Sequence, residues 1–213
     1  EYAANDPATC ATIANTFVSS GVDLIMANAS SALQAAASAT GDIPVLGTSV
    51  TEYGVALKID DFSGTVGTNV SGTSDLAPLD QQAAMIQEWC PEAKTVGLLY
   101  CSGEPNSQYQ VDTVQEHLEE LGYTCTQYAF SDSNDMAAVT QTAADNSDVI
   151  YVPTDNTVAS NASIVDNICR PAKIPVFTGE QGICKGCGVA TLSISYYDLG
   201  VTTGEMAVKV LRG

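Results

Sequence analysis

Short runs of aliphatic and β-branched residues recur along the chain. Between them lie alanine-rich or amphipathic stretches closed off by Gly, Pro, Ser and Asp. The apolar runs at 22–27, 43–48, 66–71, 95–100, 123–130, 149–152, 175–178 and 189–194 predict strands. A stretch ahead of Asp23 predicts a helix, as do 30–40, 79–89, 107–121, 134–145, 158–170 and 198–211. Pro91 ends the 79–89 helix, because it lacks an N–H and its ring clashes with the preceding turn. Strands apolar throughout, rather than at alternate residues, belong in parallel sheets covered on both faces by helices. The chain reads as an α/β protein with Rossmann-like parallel sheets.

An internal repeat sharpens the reading. Tyr2-Ala3, Asn5-Asp6, a helical stretch and Asp23-Leu-Ile are echoed by Tyr128-Ala129, Asn134-Asp135, a helix and Asp148-Val-Ile. Each copy runs on through a polar loop and a helix to an Ile-Pro-Val strand, at Ile43-Pro44-Val45 and Ile174-Pro175-Val176. Two like α/β lobes are the simplest consequence. The second copy is preceded by a strand and a helix over 95–121 and the first by nothing, so the first βα unit of lobe one is expected to be missing here. Glu1 to Ala3 would then be the tail of that lobe's second strand.

Composition narrows the function. Among 213 residues, 7 basic side chains face 25 acidic ones, a net charge of -18. No basic patch is available to neutralise phosphates, which excludes a nucleic-acid binder, and no polybasic stretch suits an anionic membrane. No apolar run reaches the ~18 residues of a membrane span, and no basic-plus-apolar leader is present. Cysteines stand at 10, 90, 101, 125, 169, 184 and 187, an odd count that leaves at least one outside any pairing within the chain. Cys184 and Cys187 form a C-x-x-C, open to a redox pair, half a zinc site or a local bridge; structural or incidental cysteines are the favoured reading, and no metal or cofactor is expected.

In open parallel sheets, ligands bind beyond the carboxyl ends of the strands. Those ends are polar here: Asn28-Ala-Ser30-Ser31, Thr48-Ser49-Val-Thr51, Ser102-Gly-Glu104-Pro-Asn106-Ser107, Thr154-Asp155-Asn156 and Gly179-Glu180-Gln181. Each alone reads as a helix cap, a role worth about 1 kcal/mol. Together they would line a cleft between two lobes. The helix start at Asn106-Ser107 suits a carboxylate, through free N–H groups and the positive end of the dipole. Asp155 and Glu180 would suit an ammonium group. That polarity fits a zwitterionic amino acid.

Catalytic constellations are poor. No G-x-S-x-G, Walker or G-x-G-x-x-G motif occurs, and the single histidine, His117, sits in the charged helical run Gln115-Glu-His-Leu-Glu-Glu120. Binding explains these residues better than catalysis. An enzyme using Cys101 or the C-x-x-C is a minor alternative.

The runs Asn69-Val-Ser-Gly-Thr-Ser-Asp75, Ser102-Gly-Glu-Pro-Asn-Ser107, Tyr151-Val-Pro-Thr-Asp-Asn156 and Ala190-Thr-Leu-Ser-Ile-Ser-Tyr-Tyr-Asp-Leu-Gly200 resemble the tryptophan/tyrosine-type substrate-binding proteins of bacterial ABC transporters. The resemblance implies a type I periplasmic-binding-protein fold, with two lobes that close on a ligand. Lobe one would be 1–75 plus 195–213 and lobe two 76–194, with a hinge near Ser74-Asp75-Leu76 and Ser193-Ile194-Ser195. It implies an aromatic or large hydrophobic amino acid as ligand. Ser102, Asn106 and Ser107 would hold its carboxylate and Asp155 its amine. Asn28, Ser30, Ser31, Thr48, Ser49 and Thr51 would contribute from lobe one. Glu104, Thr154, Asn156 and Glu180 share the loops of lobe two, and Tyr109, Tyr196 and Tyr197 are candidates for the side-chain pocket. The implied partner is a transporter permease, and the implied location is extracytoplasmic: secreted, periplasmic or held at the cell surface by a lipid anchor outside this chain. The family usually carries a leading strand and helix and further sequence after the final helix. The more polar Asn28–Ser31 loop and the turn Cys184-Lys-Gly-Cys187 depart from its pattern; a local bridge there, or one from Cys169, would suit an oxidising exterior. The alternative is a ligand-sensing domain of a regulator or receptor with the same fold.

Overall fold

Asp6 opens the first helix, α1 (Pro7–Ser19). Its carboxylate accepts the Thr9 N–H at 2.7 Å, and Pro7 fills a first-turn position whose N–H has no helical partner. The chain continues through β1 (Ile25–Asn28), α2 (Ser30–Ala39), β2 (Val45–Val50), α3 (Tyr53–Leu57), β3 (Val70–Ser74), α4 (Leu79–Trp89), β4 (Thr95–Cys101), α5 (Pro105–Glu120) and β5 (Thr124–Phe130). It ends with α6 (Met136–Asn146), β6 (Val149–Val152), α7 (Asn156–Ala172), β7 (Val176–Thr178), α8 (Gln181–Cys187), β8 (Ala190–Thr191) and α9 (Tyr196–Arg212). The computed structural model describes residues 1–4 and 6–213, so Asn5 of the first repeat copy lies outside the described residues. The chain divides into two units, Glu1–Leu76 with Ser195–Gly213, and Ala77–Ile194.

In the first unit β1, β2 and β3 pair in that order, all parallel. Strand β2 lies between the other two and is buried at five of its six residues. Its neighbour β1 buries Ile25 and Ala27 and exposes Met26 and Asn28. Val45, Val50, Leu33 of α2 and Tyr53 of α3 close the core. Tyr53 donates its hydroxyl to the Thr73 carbonyl at 3.0 Å, and that hydroxyl lies where a Cβ on Gly47 or Gly72 would stand. The tyrosine leaves no room for a side chain at Gly47, and at Gly72 the Gly47 backbone and a φ of 151° close the position as well. Helix α9 returns to this unit, where Thr203 meets Thr73 at 2.8 Å.

In the second unit five parallel strands run in the order β5-β4-β6-β7-β8. Alternation of side chains along each strand feeds two separate cores. Val96, Leu98, Tyr100, Val149, Tyr151 and Phe177 pack with Ile86 of α4 and with Val111, Val114 and Leu118 of α5. Leu99, Cys101, Ile150, Val152 and Val176 pack on the opposite face with Met136 of α6, Val158 and Val165 of α7 and Ile183 of α8. A sheet covered on both sides explains why these strands read as continuous apolar runs. The order helix, strand, helix, strand recurs in α1–β2 and α6–β7, with parallel pairs β1-β2 and β6-β7.

Several expectations change at the edges. The 189–194 strand shrinks to Ala190–Thr191, because the chain beyond it leaves the sheet, and the 66–71 strand begins only at Val70. The Cys184-Lys-Gly-Cys187 turn is helical, within α8, and the seven cysteines are free thiols rather than bridged. Glu180 makes α8 possible: its carboxylate accepts the N–H groups of both Gly182 and Ile183.

Candidate functional site

The carboxyl-end loops of the second unit are knitted together by buried polar side chains. Asp155, 1% exposed, caps α7 by accepting the Val158 N–H at 2.8 Å with one oxygen and accepts the Cys101 N–H at 2.8 Å with the other. Glu104, 6% exposed, reaches across from the β4–α5 loop. Its two oxygens accept the N–H and side-chain amide of Asn156 and the N–H and hydroxyl of Thr157, at 2.7 to 3.0 Å. The first three N–H groups of α7 therefore hold two protein carboxylates at the positive end of that helix. Burial, and then the nearby Glu104 charge, push the Asp155 carboxyl up to about 6.

Gln110 and Gln82 tie the remaining loops. Gln110, 1% exposed, grips the Thr154 backbone at both ends: its amide donates to the Thr154 carbonyl at 3.1 Å and its oxygen accepts the Thr154 N–H at 3.0 Å. The same carbonyl accepts from Asn106 at 3.2 Å and lies 3.5 Å from the buried Ser107 hydroxyl. Ser102 turns to the end of β5, donating to the Phe130 carbonyl at 3.1 Å. Gln82 donates to the carbonyls of Gly179 and Leu192 and accepts the Tyr151 hydroxyl at 2.6 Å.

The loops of the first unit are built differently. Helix α2 starts without a side-chain cap, behind Ala29 at φ 76°, ψ 161°, a region that belongs to glycine. Ser49 also sits at positive φ, 53°. The two strained loops are joined, because the Ala29 N–H donates to the Thr48 carbonyl at 3.0 Å. Ser30, Thr48 and Thr51 are buried, Ser31 and Ser49 half-buried and Asn28 exposed. No carboxylate occurs in Asn28–Ser31 or Thr48–Thr51.

Predicted site residues thus fall into two sets. Asn28, Ser30, Ser31, Thr48, Ser49 and Thr51 share the joined loops of the first unit. Glu104, Asn106, Ser107, Thr154, Asp155 and Asn156 form one bonded network in the second. Within that network the side chains of Ser102, Asn106 and Ser107, expected at a ligand carboxylate, are directed at backbone carbonyls, and Pro105 gives α5 no N–H at its first position. Each Asp155 oxygen accepts one backbone N–H and keeps a second lone pair, but the side chain is 1% exposed, so an amine reaches it only where the loops around it part. Glu180 is occupied capping α8, and the Tyr196 hydroxyl donates to Asp75 at 3.0 Å rather than standing free for a ligand. Tyr109 is half-buried on α5, and Tyr197 is exposed. Burial pushes the Cys101 thiol upward, opposite to the shift a reactive thiolate needs.

The family model described as ABC transporter substrate binding protein matches residues 1–213, the whole chain. The chain belongs to that family. A tyrosine-binding protein of Clostridioides difficile (strain R20291) is 36% identical over 216 residues, which cover 100% of this chain and 61% of the relative. The chain thus spans about three fifths of the length of this relative. An ABC domain from Streptococcus pneumonia, solved in complex with L-Trp, matches with a TM-score of 0.92 at 35% identity, covering 98% of this chain and 72% of that one. A leucine binding protein from Thermotoga maritima MSB8 shares the fold at 18% identity, with a TM-score of 0.65 over 87% of this chain and 53% of its own. The architecture of the chain is that of the type I periplasmic binding proteins.

Gln82 and Gln110 escaped the sequence reading, although a signal existed. Gln110 lies on the stripe 107, 111, 114 and 118, and Gln82 on the stripe 79, 83 and 86, each among buried residues at helical spacing. A glutamine inside an apolar stripe marks a buried amide that must find partners.

Proposed function

We propose that this chain is the solute-receiving part of an extracytoplasmic ABC import system. It holds a zwitterionic amino acid, in first place an aromatic one, by closure of the two units, and passes it to a permease. The observation that carries the reading is the division of charge between the two sets of loops. In the first unit Asn28–Ser31 and Thr48–Thr51 offer hydroxyls and the uncapped start of α2, with no carboxylate among them, while the neighbouring Glu52 caps α3 and Asp75 accepts the Tyr196 hydroxyl, an arrangement that suits the ligand's carboxylate. The second unit gathers Glu104, Asp155 and Glu180 at its carboxyl-end loops, a negative field that suits the ammonium group. The ligand's carboxylate thereby moves from Asn106 and Ser107 to the α2 start, and Asp155 acts through the field of its loop as much as by contact. The tyrosine-binding relative and the L-Trp complex support an aromatic side chain between these ends.

Calorimetric titration with L-tyrosine, L-tryptophan, tyramine and 3-(4-hydroxyphenyl)propionate tests this. Hydrogen bonds to charged groups contribute roughly 1.5–3 kcal/mol, so each ligand lacking one charged end should bind at least ~10-fold more weakly than tyrosine. Tyramine binding as tightly as tyrosine would remove the carboxylate site from α2.

A further inference from the structure

The chain passes between its two units twice within these residues, outward at Leu76–Ala77 and back at Ile194–Ser195. On each side of that passage a buried hydrogen bond ties the outgoing connection to the returning one. In the first unit the Tyr196 hydroxyl, two residues past the return, donates to Asp75, one residue before the exit, at 3.0 Å. Asp75 is buried and anchored to the sheet by its own N–H, which donates to the Val50 carbonyl at 3.0 Å. In the second unit Gln82, fully buried in the first turns of α4, donates to the Leu192 carbonyl at 2.7 Å and is fixed to the central strand by the Tyr151 hydroxyl. Between the two ties, Leu76, Ala77 and Pro78 remain on the outgoing side before α4 begins at Leu79, and Ser193, Ile194 and Ser195 on the returning side before α9 begins at Tyr196.

We infer that the Tyr196–Asp75 and Gln82–Leu192 pairs are a matched set of straps that make the two connections turn as one. Asp75, Gln82 and Tyr196 are positioning residues for ligand binding, outside the ligand's own contacts. Untied connections would twist independently, and each lost constraint widens the set of arrangements in which the two groups of loops fail to meet one ligand. A ligand's apparent affinity falls with the fraction of molecules held in the competent arrangement. The inference rests on the proposed closure over an amino acid and assigns what keeps that closure concerted.

The test combines calorimetry, small-angle X-ray scattering and thermal unfolding of the wild type, Tyr196→Phe and Asp75→Asn. The wild type should bind L-tyrosine and contract on binding. Tyr196→Phe removes the donating hydroxyl and keeps the ring; it should weaken binding by ~5–10-fold, broaden the scattering distribution without ligand, and lower the unfolding midpoint by no more than the loss of one hydrogen bond to a buried carboxylate. Asp75→Asn keeps an acceptor for the tyrosine hydroxyl and should hold affinity to within ~2-fold of the wild type. Unchanged affinity and contraction in a folded Tyr196→Phe overturn the straps while leaving the binding function intact. Absence of binding by the wild type overturns that function, and the straps with it. If Tyr196→Phe fails to fold, hydrogen exchange on the wild type decides: ligand should slow the amides of 76–77 and 193–195 selectively, and uniform slowing across the whole chain overturns the inference.

Discussion

Asp155 carries the unusual chemistry of this molecule. Taken out of water and set beside Glu104, its carboxyl titrates at about 6, above the usual carboxylate value of 3.8. A raised acid resists ionisation in the folded chain more than in the unfolded one. Its contribution to stability is therefore fully present below the unfolded value and is lost as pH rises from about 4 through about 6. Asp6, Asp135 and Asp148 are surface carboxylates, Asp135 half-buried, held below their usual range by N–H and hydroxyl donors, so their contribution runs the other way and is lost only as pH falls beneath about 4. The window between separates the two groups. The urea midpoint should rise on going from pH 7 to pH 5, by a stabilisation of about 1 kcal/mol, since only part of the shift is recovered over that interval. Glu104→Gln removes the neighbouring charge and should flatten that slope, whatever it does to absolute stability. A slope identical in the variant would show that burial alone raises Asp155.

At the scale of elements, the strained link between β1 and α2 sets where the helix points its first turn. Ala29 occupies a glycine region at a cost of about 1–3 kcal/mol, held there by its bond to the Thr48 carbonyl. Ala29→Gly should raise the thermal midpoint by relieving that strain, while weakening L-tyrosine binding severalfold, because the start of α2 is then less firmly placed. An unaltered midpoint and affinity would mean that the strain has no part in the site. This link also shows what the sequence could not convey. The alternation of apolar runs and helices was legible, since sheets buried on both faces leave a continuous apolar signature in β4 and β6. The short helices α3 and α8 were not, because a glutamate cap and a few residues carry no periodicity. Polar loop residues were legible as a group but not in their roles. Asn106, Ser107 and Asp155 read as open donors and acceptors, yet they spend their hydrogen bonds on Thr154, Cys101 and Val158. The Asp155 cap on Val158 is local and matches the reading of these loops as caps, but the bonds to Thr154 and Cys101 join residues some 50 positions apart, which local pattern does not encode.

For the whole molecule, the excess of 25 acidic over 7 basic side chains is the dominant electrostatic fact. Among the described residues, side-chain ion pairs are confined to Arg170 with Asp166 at 2.7 Å in α7 and His117 with Glu120 at 3.9 Å in α5, each pair at the surface with Asp166 and His117 half-buried. Surface pairs of this kind contribute about 0–1 kcal/mol, so salt has few attractions to weaken. What it screens is the mutual repulsion of carboxylates, which net charge far from zero sets against the compact state. The screening length falls from about 30 Å at 0.01 M to about 10 Å at 0.1 M. The thermal midpoint should therefore climb steadily from 10 to 150 mM salt and climb equally with sodium and potassium chloride, since the effect is one of ionic strength. A midpoint that falls with salt would mean that the acidic side chains are paired far more than the structure indicates. A rise with one cation alone would point to a bound ion. The two departures are separable in one titration series, and either would revise the view that this surface is a diffuse negative field rather than a set of specific contacts.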